Sequence, residues 1–464
     1  MSLKVYNTLT RKLESFKPIN PKKVRLFVCG ITPYDYAHIG HAKTYVQFDV
    51  IAKYLRYKGY DVFYLQNVTN IDDKIISRAK ELKKEPLALS AEYEHYYHED
   101  MAALGVDSID KYARATDYIQ DIVNQVQKLL NIGYAYKISD GYYFNLNKFN
   151  EYGKLSGRTI LEAEDSISRI DDSKEKINKG DFCLWKFYKG NEPYWETDLG
   201  KGRPGWHIED TAITEKELGQ QYDIHGGARD LIFPHHEAEI AQMESISKKS
   251  PFVRYWLHTG FLVVKGQKMS KSLGNFITIK DALKKYSPDV LRLFFILTHY
   301  RSAIDFDEKN LKQAESTLNR LNDFIIRLKG INSRKACKKT SLLIKGLKSG
   351  FEKAMDNDFN TPEAFASLFN FMKEVNILID NNEINKGNAK KALDILCKFD
   401  TILCLNLNKE IVMPDEIKLL VDKREQARKE ENFKLADKLR QIIKEKGYIL
   451  EDTPHGIRCK KLHF

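Results

Sequence analysis

The chain has 464 residues, 42% of them hydrophobic, and a formal net charge of +11 at pH 7. This length predicts two to four structural units, because a single hydrophobic core stops growing at roughly 250–300 residues. The sequence contains neither an apolar run of the ~18 residues needed to cross a bilayer nor a signal-like N-terminus, which argues against a membrane or secreted protein. The six cysteines lack a paired spacing, so we predict a reducing, cytoplasmic location.

A strand, a turn and a helix are predicted in this order near the N-terminus. Val24–Cys29 is a short apolar run rich in β-forming residues, and Ala42–Tyr57 has the apolar period of a helix. Asp61–Gln66 is predicted to form the next strand. This order is typical of one half of a Rossmann-like nucleotide-binding fold, whose ligands bind at the carboxyl ends of parallel strands.

The rest of the chain changes in composition several times. Charged and aromatic residues are dense between Gly133 and Gly202, Tyr222–His225 is predicted to be a strand followed by two glycines, and helical periods dominate after Asp289. Glu416–Lys446 is predicted to form one long charged helix with breaks, before a hairpin-like end. We therefore predict an α/β fold with these parts: residues 1–132, first half of the nucleotide-binding fold; 133–202, a connective insertion; 203–255, the second half; 256–306, a lysine-loop region; 307–408, a helical bundle; 409–464, a small C-terminal α/β module.

The positive charge is concentrated in the C-terminal third. Between Leu311 and Gly350 ten Lys or Arg residues stand against two acidic ones, and between Val421 and Phe464 twelve stand against eight. Both segments lie outside the predicted nucleotide-binding fold. This distribution favours a polyanionic partner such as a nucleic acid, held by the later parts of the chain.

Two short peptides carry residues that suit ATP chemistry, His38-Ile39-Gly40-His41 and Lys268-Met269-Ser270-Lys271-Ser272. When a carboxylate attacks the α-phosphate of ATP, negative charge grows on phosphate oxygens, and the protein stabilises it with cationic groups and N–H donors. Glycine between the histidines permits a close approach of the nucleotide. A basic loop alone is usually a solvated turn, but the two motifs together indicate ATP-dependent activation of a carboxylate.

These motifs and their surroundings resemble the class I aminoacyl-tRNA synthetases, and among them the cysteinyl-tRNA synthetase family. The resembling blocks cover nearly the whole chain: Phe27–Asp35, Asn67–Lys74, Gly205–Glu209, Asp223–Gly227, Phe233–Glu237, Lys268–Phe276, Ala427–Asp437 and Leu450–Pro454.

The resemblance implies a role for each residue that matches a family motif. It implies that His38 and His41 stabilise the α- and β-phosphates, and that Lys268 and Lys271 stabilise the pyrophosphate. The implied ATP site consists of Gly40, His225, Gly226, Gly227, Asp230 and Lys271, and the implied amino-acid pocket includes Thr69 and Trp206.

The family also holds a zinc ion with two cysteines, a histidine and a glutamate. Here the matching residues are Cys29, His235 and Glu239, but Asp210 stands where the family has its second cysteine. A carboxylate is an accepted zinc donor, so we expect Zn²⁺ with Asp210 as the fourth ligand. If no metal binds, the alternative is a polar cluster in which Asp210 pairs with His235 or with the substrate ammonium.

The resemblance implies a cysteine--tRNA ligase with ATP and Mg²⁺, L-cysteine and tRNA(Cys) as its substrates and partners. We expect a cytoplasmic monomer with no membrane contact, in which the bundle binds tRNA and the C-terminal module reads the anticodon. Two alternatives remain open: a related ligase that joins cysteine to an amino sugar, and a catalytically inactive tRNA-binding paralogue.

Overall fold

The computed structural model describes residues 2–158, 173–270, 273–333, 338–408, 414–453 and 456–461. The chain divides into two compact units. The first unit contains Met1–Ile279, Phe295–Asp307 and Phe351–Phe365, and the second contains Lys280–Phe294, Glu308–Gly350 and Ala366–Phe464. The finer division into six parts stays a prediction.

The strands in chain order are β1 (Lys4–Asn7), β2 (Lys12–Ser15), β3 (Lys23–Ile31), β4 (Asp61–Val68), β5 (Lys111–Arg114), β6 (Ala135–Ile138), β7 (Gly141–Phe144), β8 (Phe182–Phe187), β9 (Gly202–Pro204), β10 (Tyr222–Ala228), β11 (Val253–Thr259), β12 (Leu262–Val264), β13 (Gln267–Lys268), β14 (Ile304–Asp305), β15 (Tyr448–Thr453) and β16 (Gly456–Lys461).

The helices in chain order are α1 (Ile39–Tyr57), α2 (Asp73–Leu82), α3 (Pro86–Ala103), α4 (Ile119–Asn131), α5 (Trp206–Leu218), α6 (His235–Ser247), α7 (Ile279–Lys285), α8 (Pro288–Ile296), α9 (Glu308–Lys329), α10 (Lys338–Met355), α11 (Thr361–Asp380), α12 (Lys386–Leu403), α13 (Asp415–Lys429) and α14 (Phe433–Glu445).

A five-stranded parallel sheet organises the first unit, with strand order β11-β10-β3-β4-β5. The chain leaves β3 through α1 to β4 on one side, whereas β10 pairs with the opposite edge of β3. The order therefore reverses between β3 and β10, and open α/β sheets bind ligands at the carboxyl ends of strands beside such a switch point. The predicted Rossmann-like α/β fold is confirmed.

The predicted strand at Val24–Cys29 lies inside β3, and the predicted helix at Ala42–Tyr57 lies inside α1. One detail differs, because Gly226 and Gly227 lie within β10 and not after it. The break in the charged tail helix falls between α13 and α14, where Glu431 has a φ of 54°. A left-handed residue cannot continue a right-handed helix, so the chain turns there.

The insertion between the two halves forms its own antiparallel sheet of four strands, in the order β6-β7-β8-β9. Strands β8 and β9 are tied to α2 by ion pairs. Lys186 Nζ lies 2.7 Å from Asp73 Oδ2, and Arg203 Nη2 lies 2.5 Å from Asp73 Oδ1. Burial alone would raise the pKa of Asp73, but Arg203 and Lys186 outweigh it and lower that pKa.

Asp73→Asn should lower the free energy of unfolding at pH 7 by about 1–3 kcal/mol, because Lys186 and Arg203 lose the carboxylate that they share, although Arg203 keeps its ion pair with Glu192. Since the folded pKa of Asp73 lies below its ordinary value of 3.8, its contribution is present above that value and is lost as the pH falls through the folded pKa. Urea unfolding between pH 3 and 7 measures the effect. Glu196→Gln removes an exposed pair with Lys201 in the same insertion and serves as the control, with an expected change below ~0.5 kcal/mol. A loss in Asp73→Asn that does not shrink towards acidic pH would contradict the ion-pair explanation.

Within the described part of the chain, no helix combines the length and the apolar character that crossing a membrane requires.

Candidate active site

The histidine motif opens helix α1 at the carboxyl edge of the sheet. His38 caps the helix, because its Nδ1 accepts hydrogen bonds from the backbone N–H groups of Gly40 (3.1 Å) and His41 (3.3 Å). The backbone N–H of His38 donates in return to His41 Nδ1 at 3.3 Å. The two rings are stacked, with centroids 3.7 Å apart. The sequence motif thus places two imidazoles at a helix N-terminus, where the positive end of the helix dipole favours phosphate.

Burial and the neighbouring His38 lower the pKa of His41 well below its usual value of 6.5. Neutral His41 therefore acts as a hydrogen-bonding group and not as a fixed positive charge. Gly40 has a structural reason to be glycine, since a Cβ at this position would lie 2.9 Å from two atoms of the His38 ring and 3.8 Å from Met269 Cε. The capping ring alone leaves no room for a side chain.

The lysine loop follows the hairpin of β12 and β13 and returns to the histidine motif. Lys268 is exposed at the end of β13, and Lys271 lies outside the described residues. Asn275 joins the two sides of the loop, because its Oδ1 accepts from Ser270 N at 2.8 Å and its Nδ2 donates to Lys268 O at 3.1 Å. The Phe276 ring then packs against His38 with centroids 5.4 Å apart. The two motifs are neighbours in space, as the prediction that they act together on ATP requires.

The four residues implied as metal ligands come together from three elements. Cys29 lies on β3, Asp210 on α5, and His235 and Glu239 one turn apart on α6. One potential ligand atom from each residue lies within 4.8 Å of those of the others, and all four residues are buried. Asp210 Oδ2 is 3.5 Å from Cys29 Sγ and 3.0 Å from His235 Nε2. The carboxylate that departs from the family pattern points into the cluster.

Among the described residues, no Lys or Arg forms an ion pair with the acidic groups of this cluster. Burial, followed by the nearby Asp210, raises the pKa of Cys29 well above its usual value. The same two causes raise the pKa of Glu209 and of Glu239. Acidic groups so close together resist ionisation unless a cation joins them.

Glu239 provides a direct test of whether a metal fits. His235 Nε2 lies 3.2 Å from Glu239 Oε1 and His225 Nδ1 lies 3.5 Å from Oε2. Neither contact has hydrogen-bond geometry, so both oxygens of this buried carboxylate lack a hydrogen-bond donor among the described residues. Sulfur, imidazole and carboxylate donors at these separations match the ligands of four-coordinate zinc. The residues present fit such an ion.

Two further histidines surround the thiol, and sequence reasoning assigned neither of them to the cluster. His236 Nε2 lies 3.1 Å from Cys29 Sγ, and His225 Nε2 lies 3.3 Å from it. The opposite nitrogen of His236 contacts His258 at 2.8 Å, and that of His225 contacts the Tyr222 hydroxyl at 2.7 Å. Partners on the second ring nitrogen fix an imidazole in place, as they do around metal sites. Only the position of His236 directly after His235 could have indicated its involvement.

The implied amino-acid pocket lies against this cluster. The Trp206 ring stacks on His235 with centroids 4.3 Å apart and is 39% exposed, so it lies at the surface beside the cluster and not in the core. Thr69 is buried and donates its hydroxyl hydrogen bond to Glu209, which the sequence did not single out. Asn67 Nδ2 donates to Asp210 Oδ1. These contacts join the end of β4 to the start of α5.

The residues implied for the ATP site lie in different surroundings. His225 is fully buried beside the thiol, whereas Asp230 is exposed on a short 3₁₀ turn after β10. A Cβ at Gly226 would lie 2.3 Å from the Phe48 ring, and one at Gly227 would lie 2.9 Å from the His236 ring. Packing within the protein is enough to require both glycines. Their assignment to ATP stays a prediction.

Two family models match this chain. The model described as "tRNA synthetases class I (C) catalytic domain" matches residues 15–316, and the model described as "DALR domain" matches residues 350–408.

Similar curated proteins match from end to end. A protein of Thermococcus onnurineus is 45% identical over 481 residues, covering 100% of both chains. Proteins of a Sulfurihydrogenibium species and of Methanococcus maripaludis are 44% and 45% identical, each covering 99% of this chain and 100% of the relative. All three carry the name "Cysteine--tRNA ligase".

Solved structures show the same fold at low identity. Methionyl-tRNA synthetase of Mycobacterium tuberculosis, in complex with methionyl-adenylate, has a TM-score of 0.60 at 15% identity and covers 83% of this chain and 88% of its own. A leucyl enzyme of Agrobacterium radiobacter, in a ternary complex with tRNA, has a TM-score of 0.60 at 10% identity and covers 84% of each chain.

Proposed function

The chain belongs to the cysteine--tRNA ligase family of the class I aminoacyl-tRNA synthetases, and we propose how its residues carry out that reaction. The enzyme uses ATP to activate L-cysteine as cysteinyl adenylate and transfers the cysteinyl group to tRNA(Cys). None of the relatives described above carries the name of an amino-sugar ligase. The full-length identity supports the tRNA ligase over that alternative and over an inactive tRNA-binding protein.

In the activation step, the cysteine carboxylate attacks the α-phosphorus of ATP and pyrophosphate leaves. His38 and His41 bind the phosphates at the N-terminus of α1, where the positive end of the helix dipole assists them. Lys268 and Lys271 stabilise the charge on the departing pyrophosphate, with Mg²⁺ accompanying ATP. Gly40, His225, Gly226, Gly227 and Asp230 complete the proposed ATP site. No covalent bond to the protein is needed.

Selection of cysteine depends on the cluster below the pocket. Cys29, Asp210, His235 and Glu239 would hold Zn²⁺, and their buried, donor-poor carboxylates support this assignment. When bound there, zinc favours a sulfur ligand over a hydroxyl, which is the chemistry that separates cysteine from serine. Trp206 and Thr69 line the space above, so that Trp206 bounds the side chain of the substrate and Thr69 supplies a hydroxyl beside Glu209.

Transfer of the cysteinyl group requires the protein to bind tRNA through parts of the chain outside the ATP motifs. The parts proposed for this role are the region at 256–306 for the acceptor stem, the bundle at 307–408 and the module at 409–464 for the anticodon. The excess of positive charge in the later parts supports this division, because phosphate contacts supply much of the affinity for nucleic acid. We further propose that the enzyme acts as a cytoplasmic monomer.

The C-terminal module has a small core of its own, formed by Ile417, Val421, Ile443, Tyr448, Leu450 and Cys459. Deletion of residues 409–464 should therefore leave cysteine-dependent pyrophosphate exchange within about threefold of the full chain and reduce tRNA cysteinylation at least ~100-fold, because phosphate and base contacts are lost together. Parallel assays of both steps on the purified truncated protein measure this. An equal loss of both steps in a folded protein would contradict the division of labour.

The observation that carries the proposal is the joint position of the histidine motif, the lysine loop and the buried cysteine cluster at one edge of the sheet. Cysteine-dependent exchange of labelled pyrophosphate into ATP tests it without tRNA. Cysteine should support exchange far better than serine, by more than the ~10² that shape alone provides between near-isosteres. Exchange that is absent, or equal for both amino acids, would refute the proposed site.

A further inference from the structure

Helix α1 contains a lysine that the proposed reaction does not use. Lys43 is 1% exposed, and its ammonium group donates to the backbone carbonyl oxygens of Gly260 (2.6 Å) and Tyr300 (3.3 Å). No carboxylate pairs with it among the described residues. Burial lowers the pKa of Lys43 to about 7. A buried ammonium that has only two carbonyl partners costs free energy, so packing alone does not explain a lysine here.

Of the two carbonyls, that of Gly260 lies where the chain leaves the main sheet and enters the lysine loop, and that of Tyr300 is hydrogen-bonded to the same residue. Gly260 follows the last residue of β11 and precedes β12, the first strand of the loop hairpin. The backbone N–H of Gly260 donates to Tyr300 O at 2.8 Å, and a Cβ at Gly260 would lie 2.4 Å from the backbone of Ser302. Beside this point, the hydroxyl groups of Thr44 and Thr259 are 2.9 Å apart. The start of the loop is therefore held against the second turn of α1.

The end of the loop is held against the first turn of the same helix. The backbone N–H of Ile39 donates to Ile277 O at 3.1 Å, and that of Ile279 donates to Ala37 O at 2.9 Å. Both ends of the loop are thus fixed to the segment that carries His38 and His41. The second anchor consists of backbone hydrogen bonds, whereas the first is made from α1 by the side chains of Lys43 and Thr44.

We propose that Lys43 is a positioning residue for adenylate formation, which fixes the start of the lysine loop relative to the histidine motif. The proposal rests on the roles given above to the histidines and the loop lysines. Lys268 is the last residue of β13 and pairs with Val263 on β12, so a displacement of the chain at Gly260 is carried through β12 and across this pair to Lys268. Loss of the anchor should therefore act on the transition state, where the loop lysines meet the pyrophosphate charge.

Lys43→Met removes the ammonium group with its two hydrogen bonds and keeps the approximate length of the side chain. It should lower kcat of cysteine-dependent pyrophosphate exchange by roughly 10–100-fold and leave KM for cysteine within about twofold, as expected for an interaction that matters mainly in the transition state. Lys43→Arg keeps the cation and its donors and should restore kcat to within about threefold.

Lys53 provides a matched control on the same helix. Its ammonium group also donates to a backbone carbonyl, that of Gly105 at 3.1 Å, and it forms ion pairs with Asp49 and Asp107, neither of which belongs to the loop. Lys53→Met should lower thermal stability and leave kcat within about twofold of wild type. In a Lys268→Ala background, Lys43→Met should add little to the loss of kcat, because both changes affect the same interaction.

A kcat of Lys43→Met within twofold of wild type would overturn the positioning role, even if the melting temperature falls. The positioning role is also overturned if the loss of kcat in the double variant equals the product of the losses in Lys43→Met and Lys268→Ala. If Lys43→Met does not fold, Lys43→Gln is used, with the same expected loss and the same contradicting result. A wild-type enzyme without exchange would refute the proposed function and this role together, whereas normal exchange in Lys43→Met would refute this role alone.

Discussion

Replacement of Lys271 by alanine should lower kcat of cysteine-dependent pyrophosphate exchange by roughly 10²–10³-fold, the usual effect of removing one charge-stabilising group from an active site. Lys271 belongs to the motif that begins at Lys268, whose loop ends in contact with His38. In the proposed mechanism, its charge meets the pyrophosphate most strongly as that group departs. KM for cysteine should therefore change little, and tRNA binding should remain close to that of wild type.

Lys265 supplies the control for this prediction. It is exposed in the turn of the β12–β13 hairpin with a φ of 51°, and asparagine tolerates that backbone conformation. Lys265→Asn removes a positive charge from the same hairpin and should leave kcat within about twofold. Comparable losses in Lys271→Ala and Lys265→Asn would mean that the loop acts through its overall charge. Near-wild-type exchange in Lys271→Ala would remove the loop from the mechanism.

Asp210→Ala should remove both the bound metal and most of the discrimination between cysteine and serine. Asp210 Oδ2 lies 3.5 Å from Cys29 Sγ and 3.0 Å from His235 Nε2, so its loss removes one of the four proposed ligands of the ion. Without the metal, the ratio of activation efficiencies for cysteine and serine should fall to ~10² or less, the level that shape alone allows. Asp210→Cys should keep activity and bind zinc more tightly, because thiolate is the softer ligand.

Metal analysis of the purified variants, beside kcat/KM for both amino acids, measures these effects. Asp181→Ala is the control, because Asp181 is equally buried but lies in the insertion, where it accepts hydrogen bonds from Leu146 N and the Tyr136 hydroxyl. It should lose stability and keep its metal. If Asp210→Ala retains both metal and discrimination, the carboxylate is not a ligand, and Cys29, His235 and Glu239 must suffice.

The sequence was a good guide where a pattern maps directly onto geometry. Strand β3 and helix α1 follow from a short apolar run and a helical period. The spacing of His235 and Glu239 places both on one face of α6, because residues four apart on a helix are neighbours. Cys29 and Asp210 were added to the predicted metal ligands through the family resemblance, because no local sequence pattern shows that a strand and a distant helix lie together.

The sequence was a poor guide where tertiary packing decides. A lysine would be expected on the solvent-exposed side of a helix. Ala42 to Ala52 are all buried, however, so α1 has no solvent-exposed face along that length and Lys43 is buried with the rest. The contact between the His225 ring and the Cys29 thiol is a further feature that only tertiary packing decides, and the assignment of His225 to ATP stays a prediction. Trp206, which the resemblance implies for the amino-acid pocket, is 39% exposed and stacks on His235, and its role in the pocket stays a prediction.

The formation of cysteinyl-tRNA tests the central claim most directly. Purified enzyme, ATP, Mg²⁺, labelled cysteine and a tRNA(Cys) transcript are combined, and the label attached to the terminal ribose is measured. The proposed function predicts a base-labile cysteinyl ester whose formation requires ATP, together with pyrophosphate exchange in the absence of tRNA. Exchange with cysteine but no charged tRNA would favour the amino-sugar ligase, and the absence of both activities would favour an inactive tRNA-binding protein.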